Sequence, residues 1–544
     1  MKKIILAGVA ACLLLLIQRC DKIESMTGTK GLTNTSPKRA ANDVYITGTV
    51  PTGTYKITTG TTINAANKTM GVDSSLALAA PVQQLDYAIN TGSDWRITDL
   101  GNGYYSIINT YSGQALTLGD TSLPEHEQII QFNYGGVDAQ QWKIAYQAFG
   151  AYRIESKLNV LKGVHVDPSS TGSGTPVKLE TYPTSDPNAG YFYLSPVAVT
   201  YQDQAATDFF RRTSGWINSD GAATVLLNNG EILWLMGDSN IGQYDPNTGT
   251  VPCPVVSVRN SGLLQPSVTD WDWHHTLTLL GDNYPGRNSY IKQYPSDDTR
   301  WIWPGCGFQL PSNDTVYVIC TPLKNGSGGG WADDGNKVFA KILSSTAKVV
   351  GFKTLQDFNG INFGIGVIKG TDGYIYVYGE KQTFIASDIF VARFPMSNPN
   401  ADWTFWNGTG WDALATNAAA IGQGESTATN VVKINNKYIL ISTQFSMGCG
   451  TASHSMYAST SSSATGPFTN EHVIYNIPER YQGHTPFWYA PNAHPEFNTA
   501  SNELLVTYDL NGYCGADCIN GRTNPDYYRP KAIRVPFSVI DPSL

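Results

Sequence analysis

The 544-residue sequence predicts an all-β protein in two parts: a threefold β architecture over residues 43–198, then a five-bladed β-propeller over residues 200–544. Three observations carry this reading. The composition holds 53 Gly, 30 Tyr and 13 Trp with only 15% charged residues, the profile of a β-rich extracellular chain. The segments "GTYKITTG", "GYYSIINT" and "GAYRIESK" open three similar units at a period of roughly 50 residues. Beyond residue 200, "GEILWLMGD", "GYIYVYGE" and "KYILIST" look like one strand pair reused from blade to blade. A two-sheet sandwich is the alternative for this second part.

Residues 1–20, "MKKIILAGVAACLLLLIQRC", have the basic start and apolar run of an export signal and are too short for a confident membrane span. Cys20, followed by Asp21 and Lys22, resembles the lipid-acceptor cysteine of bacterial lipoproteins, although Arg19 stands where a small residue is usual. Lipid attachment at Cys20 and plain secretion are the two outcomes this leaves. Residues 21–42, rich in Thr, Ser, Lys and Gly, read as a flexible linker that holds the rest of the chain off a surface.

The net charge of −8 argues against nucleic acid or an anionic membrane as partner, since no basic stripe able to neutralise phosphates stands out in the sequence. Nucleic acid is therefore not an expected partner, and a membrane is one only through the N-terminal anchor. A monomer that meets a neutral partner is expected, without a cofactor. Six cysteines lie beyond the leader: Cys253, Cys306, Cys320, Cys449, Cys514 and Cys518. In an exported chain they point to disulfides, and Cys514 with Cys518 in "CGADC" is the easiest loop to close. Metal binding there lacks a histidine at ligand spacing, so no metal site is expected.

The three repeats close with "SDWRITDLGNG", "AQQWKIAYQAFG" and "AGYFYLSPV". Together they resemble the ricin-type β-trefoil lectin family, whose Gln-x-Trp hallmark stands at Gln140 to Trp142, and the resemblance implies a β-trefoil fold. In that family an aspartate of each repeat takes the sugar hydroxyls; the matching positions here hold Gly71, Thr117 and His165. A carbohydrate-binding module and a spacer both remain open, and Trp95 and Trp142 are expected in the core.

In the second part, "TSGWINSDGAATVLLNNGEILWLMGDSNIG" reads as a hairpin around an "NNG" turn. Asp220 is placed just before its first strand and Asp238 just after its second, at one rim. In a propeller the inner strands of all blades begin around one axial depression, so acids far apart in sequence converge there. Glycoside hydrolysis needs such a pair, one carboxyl to protonate the leaving oxygen and one to act as base or nucleophile. Asp220 and Glu425, the latter in "GQGESTATNVVKINN" ahead of a fourth-blade strand, are the candidates. Arg259 and Asn260 are candidates for binding a sugar or for bridging blades. His494, in "NAHPE", faces substrate or pairs with Glu496, and Trp216, Trp303 and Trp488 either stack on a furanose ring or pack in the core.

Several stretches, among them "RNSGLLQ", "WIWPG", "DIFVARFP", "WTFWNGTGW", "YAPNAHPE" and "NPDYYRPKAIRVP", resemble a bacterial family of domains of unknown function. That family is similar to the propeller-fold endo-D-arabinanases and, more remotely, to the five-bladed arabinanases and arabinofuranosidases. The resemblance implies a glycan-active enzyme with Glu425, in "GESTA", as the acid and Asp220 as base or nucleophile. Asp238 then matches the acid of a Gly-Asp-Ser/Thr element, tuning a neighbour or capping a turn. The expected function is an exported glycoside hydrolase, a surface lipoprotein or secreted, acting on a neutral or arabinose-containing polysaccharide. The alternatives are a non-catalytic glycan-binding protein, and a polysaccharide lyase relying on His494 and Arg259, against which the negative charge weighs.

Overall fold

The structure, a computed structural model, describes residues 45–544 apart from 64–67, 148–149, 183–185, 282–287, 295–298, 312, 328–329, 385, 427, 445–453, 482–484, 499–501 and 513–517. The leader, Cys20 and the linker lie outside the described residues, as do Cys449 and Cys514. Among the described residues no helix is long and apolar enough to cross a membrane.

The N-terminal part is a 12-stranded β-trefoil sheet system running from Gly53–Thr59 to Phe192–Pro196. Its pseudo-threefold symmetry is visible in single bonds. Trp95 Nε1 donates to Met70 O at 2.8 Å in the first repeat, and Trp142 Nε1 donates to Leu116 O at 2.9 Å in the second. Phe192 stands at the close of the third, where no N–H is available, and it too is fully buried. The two indoles are core residues, satisfied at their only polar atom, and truncating either to Ala would cost about 3–5 kcal/mol. Gly71, Thr117 and His165 are likewise buried.

The second part is a five-bladed β-propeller of four-stranded antiparallel sheets, some carrying short extra strands. Its inner strands are Trp216–Leu226, Arg300–Gln309, Asn362–Lys369, Asn430–Ile434 and Trp488–His494. Closure of the ring joins the two ends of the domain. Strand Tyr201–Gln202 pairs with Lys531–Pro536 (Tyr201 with Arg534, Gln202 with Ile533) and supplies the outer strand of the last blade. Arg96 of the trefoil lies over the Tyr201 ring at 4.1 Å and 3.7 Å from Glu503, tying the two parts at this seam.

Among the described residues four of the five inner strands carry β-bulges, at Ser219/Gly221 and Gly221/Ala223, at Pro304/Gly307, at Phe363/Gly366 and at Tyr489/Asn492. At Ser219/Gly221 the extra residue lies on the partner strand, where Gly237 and Asp238 stand against Asp220; the other bulges insert extra residues on the inner strand, and both kinds re-aim side chains. Gly221 (φ 88°), Ala222 (φ 102°), Gly364 (φ 122°) and Ala490 (φ 48°) adopt left-handed backbone at these points. Small residues hold all four positions, because a β-branched side chain is strongly disfavoured at positive φ.

The opening hairpin differs from expectation in extent. Both strands are longer than the apolar runs suggest, spanning Trp216–Leu226 and Ile232–Ile241, so Asp220 and Asp238 lie within strands and not beyond their ends. The turn itself is as the "NNG" signal predicts, with Gly230 at φ 91°.

The cysteine expectation is corrected. Cys518 bonds Cys253, with 6.4 Å between Cα atoms and a sequence separation of 265. The short strands Val251–Pro252 and Arg522–Thr523 pair with each other and bring the two loops together, which a short-loop argument from sequence spacing does not see. Cys306 and Cys320 are free thiols, each pushed up to about 12 by burial. They are poor nucleophiles for that reason.

Candidate functional site: an axial cavity with an acid pair

The bulged strands surround an axial cavity of about 1630 Å³. Asp220, Asp238, Arg259, Trp301, Trp303 and Tyr489 line one side of its chemistry. The first blade supplies the acids on neighbouring strands of one hairpin. The carboxyl of Asp220 folds back over Gly237, where a Cβ would collide with its Oδ1, and a Cβ on Gly221 would come within 2.7 Å of Gly237 N. The two glycines therefore let the strands close and set Asp220 beside the residue that precedes Asp238.

The surroundings of the two acids are opposed. Burial, then the charge of Asp238, push the Asp220 carboxyl up to about 6. Tyr489 donates to Asp220 Oδ2 at 2.7 Å and Tyr528 also bonds it, both favouring the ionised form and limiting the rise. Asp238 meets a cation and an N–H instead: Arg259 Nη1 lies 3.1 Å from Oδ2, and Trp303 Nε1 donates to Oδ1 at 2.9 Å. Arg259 is in turn stacked on Trp301, with 4.2 Å from its guanidinium carbon to the ring centre. Asp509 lies behind the pair and accepts from Gly221 N at 2.8 Å, which pins the bulge. Burial and then Asp220 hold the Asp509 carboxyl well above the usual range.

Of the residues singled out from sequence, Asp220, Asp238, Arg259 and Trp303 meet at this cavity wall. The other five stand elsewhere. Glu425 is not among the lining residues; it hydrogen-bonds Glu471, whose carboxyl is pushed up by burial and by Glu425. The cavity is reached by Ala428, Thr429 and Asn430, the last opening the strand that Glu425 precedes. Asn260 is fully buried and spent on backbone, donating to Ile291 O and Ile302 O at 2.9 Å each and accepting from Ile291 N. His494 is enclosed between the Thr224 and Thr507 hydroxyls at 2.7 and 2.9 Å, and burial drives it down to about 3. Trp216 and Trp488 are core side chains of the first and last blades.

Sequence reasoning passed over Glu380, Lys337, Trp301, Trp331, Tyr489 and Tyr528, all of which line the cavity. For Glu380 a signal existed: Gly379-Glu380 ends the second-strand motif of blade 3 as Gly237-Asp238 ends that of blade 1. Glu380 accepts from Ala428 N, Thr429 N and Thr429 Oγ1 at 2.9, 3.0 and 2.8 Å, so it anchors the entry to the fourth blade. Among the described residues no group of three His, Cys, Asp or Glu could hold a metal ion.

Comparison with known proteins agrees with the two-part architecture. Residues 203–537 match the family described as Domain of unknown function (DUF5005). Residues 41–132 and 94–180 match the Ricin-type beta-trefoil lectin domain-like family. Among solved structures, the chain is similar to a protein from Bacteroides ovatus ATCC 8483 whose assignment as a hydrolase is provisional, at 19% identity and TM-score 0.51, over 62% of this chain and 89% of that one. This likeness speaks to fold alone. The designed threefold-symmetric protein ThreeFoil matches at 28% identity and TM-score 0.25 over 27% of this chain and 99% of its own. An exo-beta-1,3-galactanase from Clostridium thermocellum matches at 27% identity and TM-score 0.25 over 27% of this chain and 30% of its own. No curated protein matches the chain.

Proposed function

The chain belongs to the DUF5005 family, whose name states no activity, and we propose that it is a glycoside hydrolase working in the axial cavity, with Asp220 as proton donor and Asp238 as the ionised carboxylate. One observation carries this reading: two acids of one hairpin, side by side at the cavity wall, have opposed environments. A buried carboxyl that holds its proton beside one bound to a guanidinium and an N–H can take the acid and base roles at one pH. The Asp220 O–H passes its proton to the leaving glycosidic oxygen as the C–O bond breaks. Asp238 then either attacks the anomeric carbon or takes a proton from the water that does. These roles depart from the sequence expectation, in which Glu425 is the acid and Asp220 the base.

The lining supports a substrate class. Among the described residues five carboxyl residues, Asp220, Asp238, Asp333, Asp357 and Glu380, line the cavity against two cations, Arg259 and Lys337. That balance disfavours an anionic glycan and supports a neutral one. An arabinose-containing polysaccharide is the finer proposal, and it rests on the likeness of the sequence stretches to arabinanase-type propellers. The trefoil is proposed as a carbohydrate-binding or spacer module, and the whole as an exported protein. A lyase using His494 loses its support because that ring is enclosed and spent on two hydroxyls.

The test is a screen of the purified full chain against neutral polysaccharides, with analysis of released products. New reducing ends from one of them support the hydrolase. Binding without cleavage favours a glycan-binding protein, which the tryptophan-lined wall would serve equally well.

A further inference from the structure

Blade 2 extends the cavity wall outward. Its second strand, Thr315–Asn325, runs on past the blade, and the short strand Trp331–Asp333 pairs with its end through Leu323 with Asp333 and Asn325 with Trp331. This hairpin carries Trp331 to the cavity, where the side chain is 56% exposed. A large indole left in water at the edge of a cavity is a binding surface in search of an apolar face. It is also connected to the acids: its ring centre lies 5.2 Å from that of Trp303, whose N–H bonds Asp238.

A polar group stands on the same wall. Lys337 lines the cavity, and its Nζ donates at 2.5 Å to Oγ1 of Thr321, the residue paired across the strands from Trp303. An ammonium has three donors, and the bond to the neutral Thr321 hydroxyl uses one of them, so donors remain for a ligand. Burial pulls Lys337 down to about 8, which leaves it charged at neutral pH. An exposed indole face and an underused donor on one cavity wall are the pairing that takes a sugar ring, whose C–H face stacks while its hydroxyls accept.

We propose that Trp331 and Lys337 form a second sugar subsite on the blade 2 wall, so that the cavity takes a chain of several sugars and not a single glycoside. This rests on the reading of the cavity as a glycan site. It assigns Trp331 as the platform and Lys337 as the donor to ring hydroxyls, both outside the reacting pair.

Affinity electrophoresis of the full chain in gels containing arabinan or arabinogalactan tests this, together with hydrolysis of the same polymers and of a p-nitrophenyl arabinofuranoside. Trp331→Ala and Lys337→Met are compared with wild type; Trp331 is exposed enough that its loss leaves the fold intact. The expected result is retardation of wild type in at least one gel, weakened about tenfold or more in Kd by each variant. Polymer KM should rise in step, by a larger factor than any change in polymer kcat or in cleavage of the small glycoside. The subsite is overturned if neither gel retards wild type, or if both variants are retarded like wild type. If retardation falls in the variants while wild type cleaves nothing, the hydrolase reading fails and the subsite stands. If wild type cleaves polymer but the variants bind it unchanged, the reverse holds.

Discussion

The Tyr489 hydroxyl donates to Asp220 Oδ2 at 2.7 Å, joining residues 269 apart in sequence across the seam where the last blade meets the first. Tyr489 sits at the bulge of the fifth inner strand and Asp220 at the bulge of the first. Closure of the ring therefore supplies one of the bonds that limit the rise in the proton affinity of the acid, which burial and Asp238 drive.

Removing that bond should shift the pH dependence. Asp220 is useful as a donor only while protonated, so activity should fall as pH rises through about 6. The Tyr489 bond favours the carboxylate and lowers this value; Tyr489→Phe should move the alkaline limb upward. A pH–rate profile with the limb unmoved or moved down would count against the assignment.

His494 predicts a stability effect of defined sign. Its folded-state value is depressed from 6.5 to about 3, so its contribution is present above about 6.5 and lost as pH falls toward 3, when the unfolded chain takes up a proton that the folded one refuses. His494→Gln should lower Tm at pH 7, and the gap from wild type should narrow by pH 4. A gap that widens on acidification would contradict the buried neutral imidazole.

The Cys253–Cys518 bond closes a very long loop, and its removal by Cys518→Ser should cost about 2–5 kcal/mol of stability. Peptide mapping of unreduced protein should recover the fragments around Cys253 and Cys518 linked. Recovery of a Cys514–Cys518 linkage instead would overturn the pairing.

What could be read from the sequence divides along a physical line. Repeats are local: the three trefoil units, the Gln140 to Trp142 hallmark and the recurrent second-strand motif each declare themselves within a short window, and the two-part all-β architecture follows from them. Asp220 and Asp238 are legible for the same reason, since one hairpin presents both. Whether a side chain meets the axis or the gap between blades depends on bulges and strand offsets that no local pattern carries. Glu425 and Glu380 are both acids after glycine near a blade 3 or 4 strand; only Glu380 lines the cavity, and it is spent on the Ala428 and Thr429 amides. His494 and Asn260 have the residue types of a sugar site, but their donors and acceptors are consumed inside the blades. Trp331 opens a three-residue strand and Lys337 directly precedes the next one, within a Gly- and Asp-rich stretch whose sequence offers no periodicity to read.

The most direct measurement of the central claim is turnover by Asp220→Asn and Asp238→Asn on whichever polysaccharide the wild-type chain cleaves, with binding followed in parallel. Each change keeps side-chain size and removes the acid–base function. Both variants should keep wild-type circular dichroism and bind the polymer, while turnover drops about a hundredfold or more. Wild-type turnover in either variant would contradict the assignment of the reaction to this acid pair.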